Sequence, residues 1–237
     1  SGAVTLLQMA SGYAILANGG FRVDPYFMER IEDSHGEIVY QANPARACED
    51  CDESIAASGE GAQPQTTERY APRVISPQNH YLMNSMMRDV ITQGTARKAM
   101  ELGRHDLAGK TGTTNDQKDA WFCGFNRSLV AVTWVGFDTA TPLGRGEVGG
   151  KAALPAWMAY MKEALQEVAE RPLKMPPEMT MVRIDPVTGK RAHDSQKDAI
   201  FEVFREENVP PDFSQGTPSV RAGSGTDYRG GGDEDPF

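Results

Sequence analysis

Residues 110–137, with the sequence KTGTTNDQKDAWFCGFNRSLVAVTWVGF, decide the fold. A polar segment of lysine, threonine and glycine is followed by two apolar runs, which Asn126 and Arg127 separate. This pattern predicts a strand at the polar segment and two further strands joined by a tight turn at Asn126 and Arg127. Both alternating sets of positions in the last run are apolar, so we expect that strand to be covered on both faces and to lie inside the sheet, not at its edge. The predicted strands are residues 105–113, 119–125 and 129–137.

Helical patterns precede and follow these strands. The first predicted helix covers residues 6–16 and starts with a capping box formed by Thr5 and Gln8. The second opens with Ser76, which is followed by a proline, as is common in the first turn of a helix. The third begins at Pro155, and its wide apolar stripe should pack across the sheet.

The composition is that of a folded chain with a sizeable core. The chain has 237 residues, of which 39% are hydrophobic and 8% aromatic, enough for one domain with appendages. Its net charge of -9 gives no general electrostatic reason to bind nucleic acid or an anionic membrane surface. No stretch of this sequence approaches the roughly 20 apolar residues that span a bilayer.

The composition changes along the chain. Residues 27–32 and 37–40 predict a short hairpin, and residues 43–72 have few large apolar side chains, which indicates an exposed acidic loop or an insertion. Residues 179–184 and 190–192 predict a strand, turn and strand outside the main core. The predicted divisions are residues 1–171 for the main domain, 172–209 for an appendage and 210–237 for a disordered tail.

Several blocks together resemble a known family. Five blocks resemble, in order, the transpeptidase domain of class A penicillin-binding proteins: residues 5–10 (TLLQMA), 17–20 (ANGG), 109–116 (GKTGTTND), 118–122 (KDAWF) and 134–136 (WVG). The likeness covers roughly residues 5–169. A Lys-Thr-Gly strand is one of the three elements of the serine active site in penicillin-binding proteins and class A β-lactamases. The other two, Ser-x-x-Lys and Ser-x-Asn, do not occur in these 237 residues.

The resemblance implies an α+β fold, incomplete in this chain, with a central antiparallel sheet packed between helical layers. It implies a serine-type D,D-transpeptidase of peptidoglycan synthesis that acts on stem peptides ending in D-Ala-D-Ala and is acylated by β-lactams. A missing upstream segment would carry the nucleophilic serine, a glycosyltransferase domain and a membrane anchor on the periplasmic side of the bacterial inner membrane. This chain alone should be neither acylated nor active, and we expect that segment to remain associated with it. The resemblance implies no cofactor and no metal.

The resemblance also assigns roles to the polar segment. Lys110 and Thr113 would be catalytic, with the Thr113 N–H as one of two oxyanion donors, each worth about 3 kcal/mol of barrier. The hydroxyls of Thr111 and Thr113 beside the Lys110 ammonium would bind the substrate carboxylate. Gly112 would leave room for close approach of the substrate backbone. Thr114 completes the expected substrate-binding segment.

The two neighbouring cysteines, Cys48 and Cys51, have several interpretations. In a cytosolic protein this spacing would suggest metal or redox chemistry, whereas the implied periplasmic location favours a local disulfide. A zinc site would need two further ligands, for which His35 and His80 are candidates without a supporting spacing. Cys123 lies in an apolar strand and is expected to be a buried thiol.

Other readings remain open. The chain could be a non-catalytic relative that binds wall peptides or partner proteins, or a β-lactamase or D,D-carboxypeptidase. Thr95 and Lys98 mimic a nucleophile and lysine spacing, but we interpret them as a surface turn. Trp121 is expected in the core or along the cleft, and Lys118 with Asp119 as a solvated pair.

Overall fold

A computed structural model describes residues 3–48 and 68–211. The chain divides into two compact units, with the boundary between Met179 and Thr180. None of the described helices is both long and apolar enough to span a lipid bilayer.

Three of the four α-helices in the described residues form where the caps and apolar spacings predict them, and the four-residue helix that begins at Gly149 was not predicted. In α1, the Thr5 hydroxyl accepts a hydrogen bond from Gln8 N at 3.2 Å and the Gln8 side chain accepts one from Thr5 N at 2.8 Å, so the predicted capping box is confirmed. In α2, the Ser76 hydroxyl accepts a bond from Asn79 N at 3.3 Å. The helices are α1 Leu6–Ala17, α2 Pro77–Thr92, α3 Gly149–Ala152 and α4 Leu154–Ala164.

The main sheet has three antiparallel strands in the order β3, β4, β5. They are β3 Ala108–Thr113, β4 Asp119–Phe125 and β5 Val130–Gly136. Within the described residues β5 pairs with β4 alone, so the predicted position inside the sheet is not seen there. Apolar residues on both faces of a strand predict that other elements cover those faces. They do not predict whether another strand pairs with each of its two edges.

Helices cover both faces of this sheet, which confirms the predicted α+β class. On one face, Phe122 packs with Trp157 of α4 and Ile91 of α2 in the larger buried cluster. On the other, Phe125 packs with Ala17 of α1, and its ring meets that of Tyr13 edge-on at 6.1 Å. The two clusters fix the side of the sheet to which each strand residue points.

The β4–β5 turn is longer than predicted. Phe125 pairs with Val130, so four residues lie between the strands. The Asn126 side-chain oxygen accepts bonds from the N–H groups of Ser128 and Leu129, both at 2.9 Å. This side chain satisfies backbone donors that a two-residue turn would have paired within the ladder.

A small hairpin precedes α2. Its strands are β1 Arg30–Glu32 and β2 Ile38–Gln41, which pair antiparallel, and the predicted hairpin is confirmed with a shorter first strand. The described ends of the predicted 43–72 loop lie next to each other, because Arg46 and Tyr70 form an isolated β-bridge. Residues 49–67 of that loop lie outside the described residues.

The second unit contains β7 Ile200–Arg205, and β6 Met179–Ile184 pairs with it. The predicted strand at residues 190–192 is wrong: only an isolated bridge joins Arg191 to Ile184. The Asp185 side chain accepts bonds from the N–H groups of Val187 and Thr188, both at 2.8 Å. The strand that pairs with β6 is therefore β7, which begins only after this turn and the coil that follows it. The predicted tail lies, from residue 212, outside the described residues.

Candidate active site

A cavity of about 660 Å³ lies between α1 and the β3–β5 sheet. Its surface is largely apolar, but Lys110 and the residues after it form one wall. The lining residues are Ala3, Val4, Leu6, Met9, Tyr13, Lys110, Thr111, Gly112, Thr113, Thr114, Asp119, Trp121, Cys123 and Trp134. All five predicted site residues therefore border one cavity.

The direction of the β3 backbone groups follows from the register. Thr114 N donates to Asp119 O at 3.1 Å, and Thr113 is directly opposite Ala120. Hydrogen-bonded and non-bonded pairs alternate in an antiparallel ladder. The N–H of Thr113 and the carbonyl of Thr111 therefore point away from β4, towards the open edge of β3. A donor fixed in this way is available to a bound group.

Lys110 extends on the α1 face of the sheet. It lies opposite Cys123, which lines the same cavity. The ammonium is exposed, and its Nζ donates to the Thr111 carbonyl at 2.9 Å. The positive charge is thereby held at the open edge of β3.

The threonine hydroxyls bond on the other side of the strand. Thr111 Oγ1 lies 2.8 Å from Thr95 Oγ1, and Thr113 Oγ1 accepts from Gly149 N at 3.1 Å. No hydrogen bond joins the Lys110 ammonium to either hydroxyl among the described residues. The three residues share a wall, but the expected cluster of two hydroxyls around the ammonium is not formed, because β3 side chains alternate between faces.

The start of β4 closes the end of β3. The Thr114 hydroxyl accepts from Asp119 N at 2.8 Å and donates to Asp119 Oδ2 at 3.2 Å. Asp119 Oδ1 accepts from Trp134 Nε1 at 2.9 Å. Asp119 is therefore not part of a solvated pair with Lys118, whose ammonium lies 3.6 Å from the Asp116 carboxylate instead.

Two residues of the β3–β4 connection adopt the left-handed conformation. Asp116 has a φ of 59° and Gln117 a φ of 55°. For non-glycine residues this costs about 1–2 kcal/mol each, and aspartate tolerates it better than glutamine. Contacts to a second loop, residues 143–148, offset this cost. Gln117 O accepts a hydrogen bond from Leu143 N at 2.9 Å, and Gln117 Oε1 accepts bonds from Gly146 N and Glu147 N at 2.6 and 3.1 Å.

Gly149, which follows the second loop, packs closely against β3. A Cβ atom at Gly149 would lie 2.6 Å from the Gly112 carbonyl oxygen and would also collide with the Trp121 carbonyl oxygen. Position 149 therefore admits only glycine without movement of the backbone. At Gly112 itself, a Cβ would lie 3.1 Å from the Trp121 Cβ, so the strands approach closely at the predicted substrate-binding segment.

The floor of the cavity is apolar and uncharged. Burial, more than the nearby Cys123 thiol, raises the pKa of Tyr13 to about 12. Burial likewise raises the pKa of Cys123 to about 11, against a smaller lowering by its hydrogen bond with Tyr13. Both groups are neutral near pH 7, and Cys123 is a buried free thiol, as predicted.

An ion pair fixes the chain just before β3. Arg104 donates to both carboxylate oxygens of Asp106, from Nε at 2.9 Å and from the terminal nitrogen at 2.8 Å. Asn126 Nδ2 also donates to Asp106, at 3.2 Å. Burial of the carboxyl group acts to raise its pKa, but the hydrogen bonds and charge of Arg104 outweigh this, and the pKa of Asp106 is lowered.

The structure also locates the aromatic, look-alike and cysteine residues that the sequence analysis singled out. Phe122 is fully buried in the core, whereas Trp121 lines the cavity and its ring lies 6.1 Å from that of Trp134. Thr95 is exposed but contacts Thr111, so the look-alike segment borders the strand. Cys48 is disulfide-bonded, and Cys51 lies outside the described residues. Within residues 3–48 and 68–211, no group of three or more His, Cys, Asp or Glu side chains is arranged to hold a metal ion.

The family model for the penicillin-binding protein transpeptidase domain matches residues 2–148. The chain belongs to this family. Penicillin-binding protein 1A of Pseudomonas aeruginosa is 42% identical over 93% of this chain, and that of Vibrio cholerae is 36% identical over 90%. The crystal structure of penicillin-binding protein 1A from Haemophilus influenzae superposes with a TM-score of 0.78 at 38% identity over 88% of this chain.

The chain spans about a third or less of these relatives: 30% of the Pseudomonas protein, 29% of the Vibrio protein and 33% of the Haemophilus chain. The transpeptidase fold, with its antiparallel sheet and flanking helices, is thus common to this chain and the Haemophilus structure.

Sequence reasoning missed three residues that shape the site. Asp119 looked like a surface charge, and Gln117 and Gly149 had no assigned role. Asp119 had one local signal, its distance of five residues from Thr114, which suits a side chain that closes a turn. The contact of Gln117 with Gly146 spans 29 residues, and no local pattern reveals it.

Proposed function

We propose that this chain is the Lys-Thr-Gly half of a serine-type D,D-transpeptidase that cross-links peptidoglycan stem peptides. The observation that carries the proposal is the open edge of β3, where the Thr113 N–H and the Lys110 ammonium border one cavity of about 660 Å³. Membership of the transpeptidase family supports the same reaction.

In this proposal a serine on an upstream segment attacks the carbonyl between the last two D-alanines of a stem peptide. The ester C–O bond forms, the amide C–N bond breaks, and the departing D-alanine amine takes up a proton. The Thr113 N–H donates to the oxyanion, and a fixed donor of this kind contributes about 3 kcal/mol. An amine from a neighbouring stem peptide then attacks the ester: the cross-linking C–N bond forms, the ester C–O bond breaks, and the serine oxygen takes up the proton that the amine loses.

Lys110 contributes positive charge at the position where the anionic substrate enters. Its ammonium is exposed and held at the strand edge by the Thr111 carbonyl. A fixed cation at the same strand edge as the Thr113 N–H is suited to a carboxylate, because hydrogen bonds to charged groups are the stronger ones. Gly112 keeps the strand free of a side chain where substrate backbone would lie against it.

The proposal requires a larger polypeptide. An upstream segment would carry Ser-x-x-Lys and Ser-x-Asn, and its membrane anchor would hold the enzyme at the periplasmic side of the bacterial inner membrane. The limited share of the penicillin-binding protein 1A relatives that this chain spans supports such a segment.

Acylation of the full-length polypeptide by a fluorescent penicillin tests this function. We expect Lys110→Ala to lower the second-order acylation rate at least about 100-fold, since it removes a charge from the site. Lys98→Ala is the matched control: it removes the lysine of the look-alike segment and should leave the rate unchanged. Failure of the unmodified protein to form an adduct would favour the non-catalytic relative.

Product analysis separates the remaining alternatives. Incubation with stem pentapeptides and an amine acceptor should yield the cross-linked dimer, detected by mass spectrometry. Release of D-alanine without a dimer would identify a D,D-carboxypeptidase. Rapid hydrolysis of the penicilloyl adduct would identify a β-lactamase.

A further inference from the structure

We propose that Gln117 is a positioning residue that directs the hydroxyl hydrogen of Thr113 towards the substrate carboxylate. This inference rests on the proposed function, because it assigns the Thr113 hydroxyl to an anionic ligand. Gln117 itself acts through a second loop and need not touch the substrate.

The first step is the attachment of that loop. The two carbonyl oxygens of Gln117 accept three N–H groups from residues 143–147, at 2.9, 2.6 and 3.1 Å. The Gln117 N–H in turn donates to Thr114 O at 3.1 Å. One residue therefore joins the end of the Lys-Thr-Gly segment to a loop about 30 residues further along the chain.

The second step leads from the loop to the site. The loop runs directly into α3, whose first residue, Gly149, donates its N–H to Thr113 Oγ1 at 3.1 Å. Gly149 also lies against the Gly112 backbone, where a Cβ would approach the carbonyl oxygen to 2.6 Å. Only Val148 separates Glu147, which Gln117 holds, from Gly149, so displacement of the loop would move the N–H that the Thr113 hydroxyl accepts.

The third step is chemical. A hydroxyl group has one hydrogen to donate and two acceptor lone pairs. The Gly149 N–H occupies an acceptor position of Thr113, and a hydroxyl so engaged is free to use its hydrogen on an anion. If the N–H were lost, the hydroxyl could equally turn to accept, and the preference for a negative ligand would weaken.

The left-handed φ of Gln117 makes a clean substitution available. Gln117→Gly keeps the 55° φ without strain and deletes the side-chain oxygen that holds Gly146 and Glu147. Glu178→Gly, at another left-handed residue with a φ of 63°, controls for the backbone effect of glycine.

The test measures acylation of the full-length protein by benzylpenicillin and by its carboxyl methyl ester, with stability followed by thermal unfolding. Gln117→Gly should lower the rate with the free acid about tenfold and leave the slower rate with the ester nearly unchanged, because one directed hydrogen bond to a charged group is lost. Glu178→Gly should behave as the unmodified protein does.

Each other outcome has a definite meaning. Equal rates for Gln117→Gly and the unmodified protein would overturn the inference, as would an equal loss with acid and ester, which indicates general distortion. Absence of acylation in the unmodified protein would instead reject the proposed function on which the inference rests.

Discussion

Asp106 is a buried carboxylate that lies two residues before β3. Only 2% of its side chain is exposed, and Arg104 and Asn126 both donate to it. Asp106→Asn should lower the free energy of unfolding by about 3 kcal/mol, because it leaves the guanidinium of Arg104 without its counter-charge. Asp116→Asn, at a carboxylate whose side chain is 73% exposed, should change it by less than about 0.5 kcal/mol.

Because the pKa of Asp106 is lowered, the difference in free energy of unfolding between the unmodified protein and Asp106→Asn should depend on pH. A carboxyl group with a lower pKa in the folded than in the unfolded protein stabilises the fold fully above its ordinary pKa of about 3.9. That contribution is lost as the pH falls through the folded-state value. The gap between the unmodified protein and Asp106→Asn, measured by urea denaturation, should therefore be constant near neutrality and narrow below about pH 4. A gap that persists unchanged into strong acid would contradict the assignment.

At the scale of elements, two glycines should respond in opposite ways to alanine. A Cβ at Gly124 of β4 would lie 2.5 Å from Trp157 Cζ2, whereas a Cβ at Gly12 of α1 would meet nothing within 4 Å. Gly124→Ala should destabilise the protein by about 1–3 kcal/mol through overpacking between the sheet and α4. Gly12→Ala should stabilise it by about 0.5–1 kcal/mol, because alanine favours a helix. Urea denaturation of both variants checks the signs, and a stabilised Gly124→Ala would disprove the packing described here.

The elements also show how far the sequence can predict the fold. The start of α1 was predictable because its capping box joins Thr5 and Gln8, which are three residues apart. The pairing of β5 with β4 alone among the described residues and the late start of β7 were not predictable, since the pairing of a strand edge depends on residues far away in the sequence. The same holds in the site, where the sequence indicated Lys110 and Thr113 but not the contact that joins Thr113 to Gly149 across 36 residues.

At the scale of the whole molecule, the site residues and the family match all lie in the first unit, before Thr180. A full-length polypeptide truncated after Met179 should therefore retain penicillin acylation within about twofold of the complete protein, since every residue assigned to the site lies in the first unit. Truncation after Ala153 is the matched control: it removes Trp157 and Met161 from the buried cluster and should abolish acylation. Loss of acylation in the first variant, with its fold intact, would show that the second unit contributes to the site.

The distribution of tryptophan gives the molecule a built-in optical reporter. Two of its three indoles, Trp121 and Trp134, border the cavity, whereas Trp157 is sealed from solvent. A soluble quencher such as acrylamide would reach the first two and spare the third. Occupancy of the cleft can thus be followed by intrinsic emission, without attaching a dye.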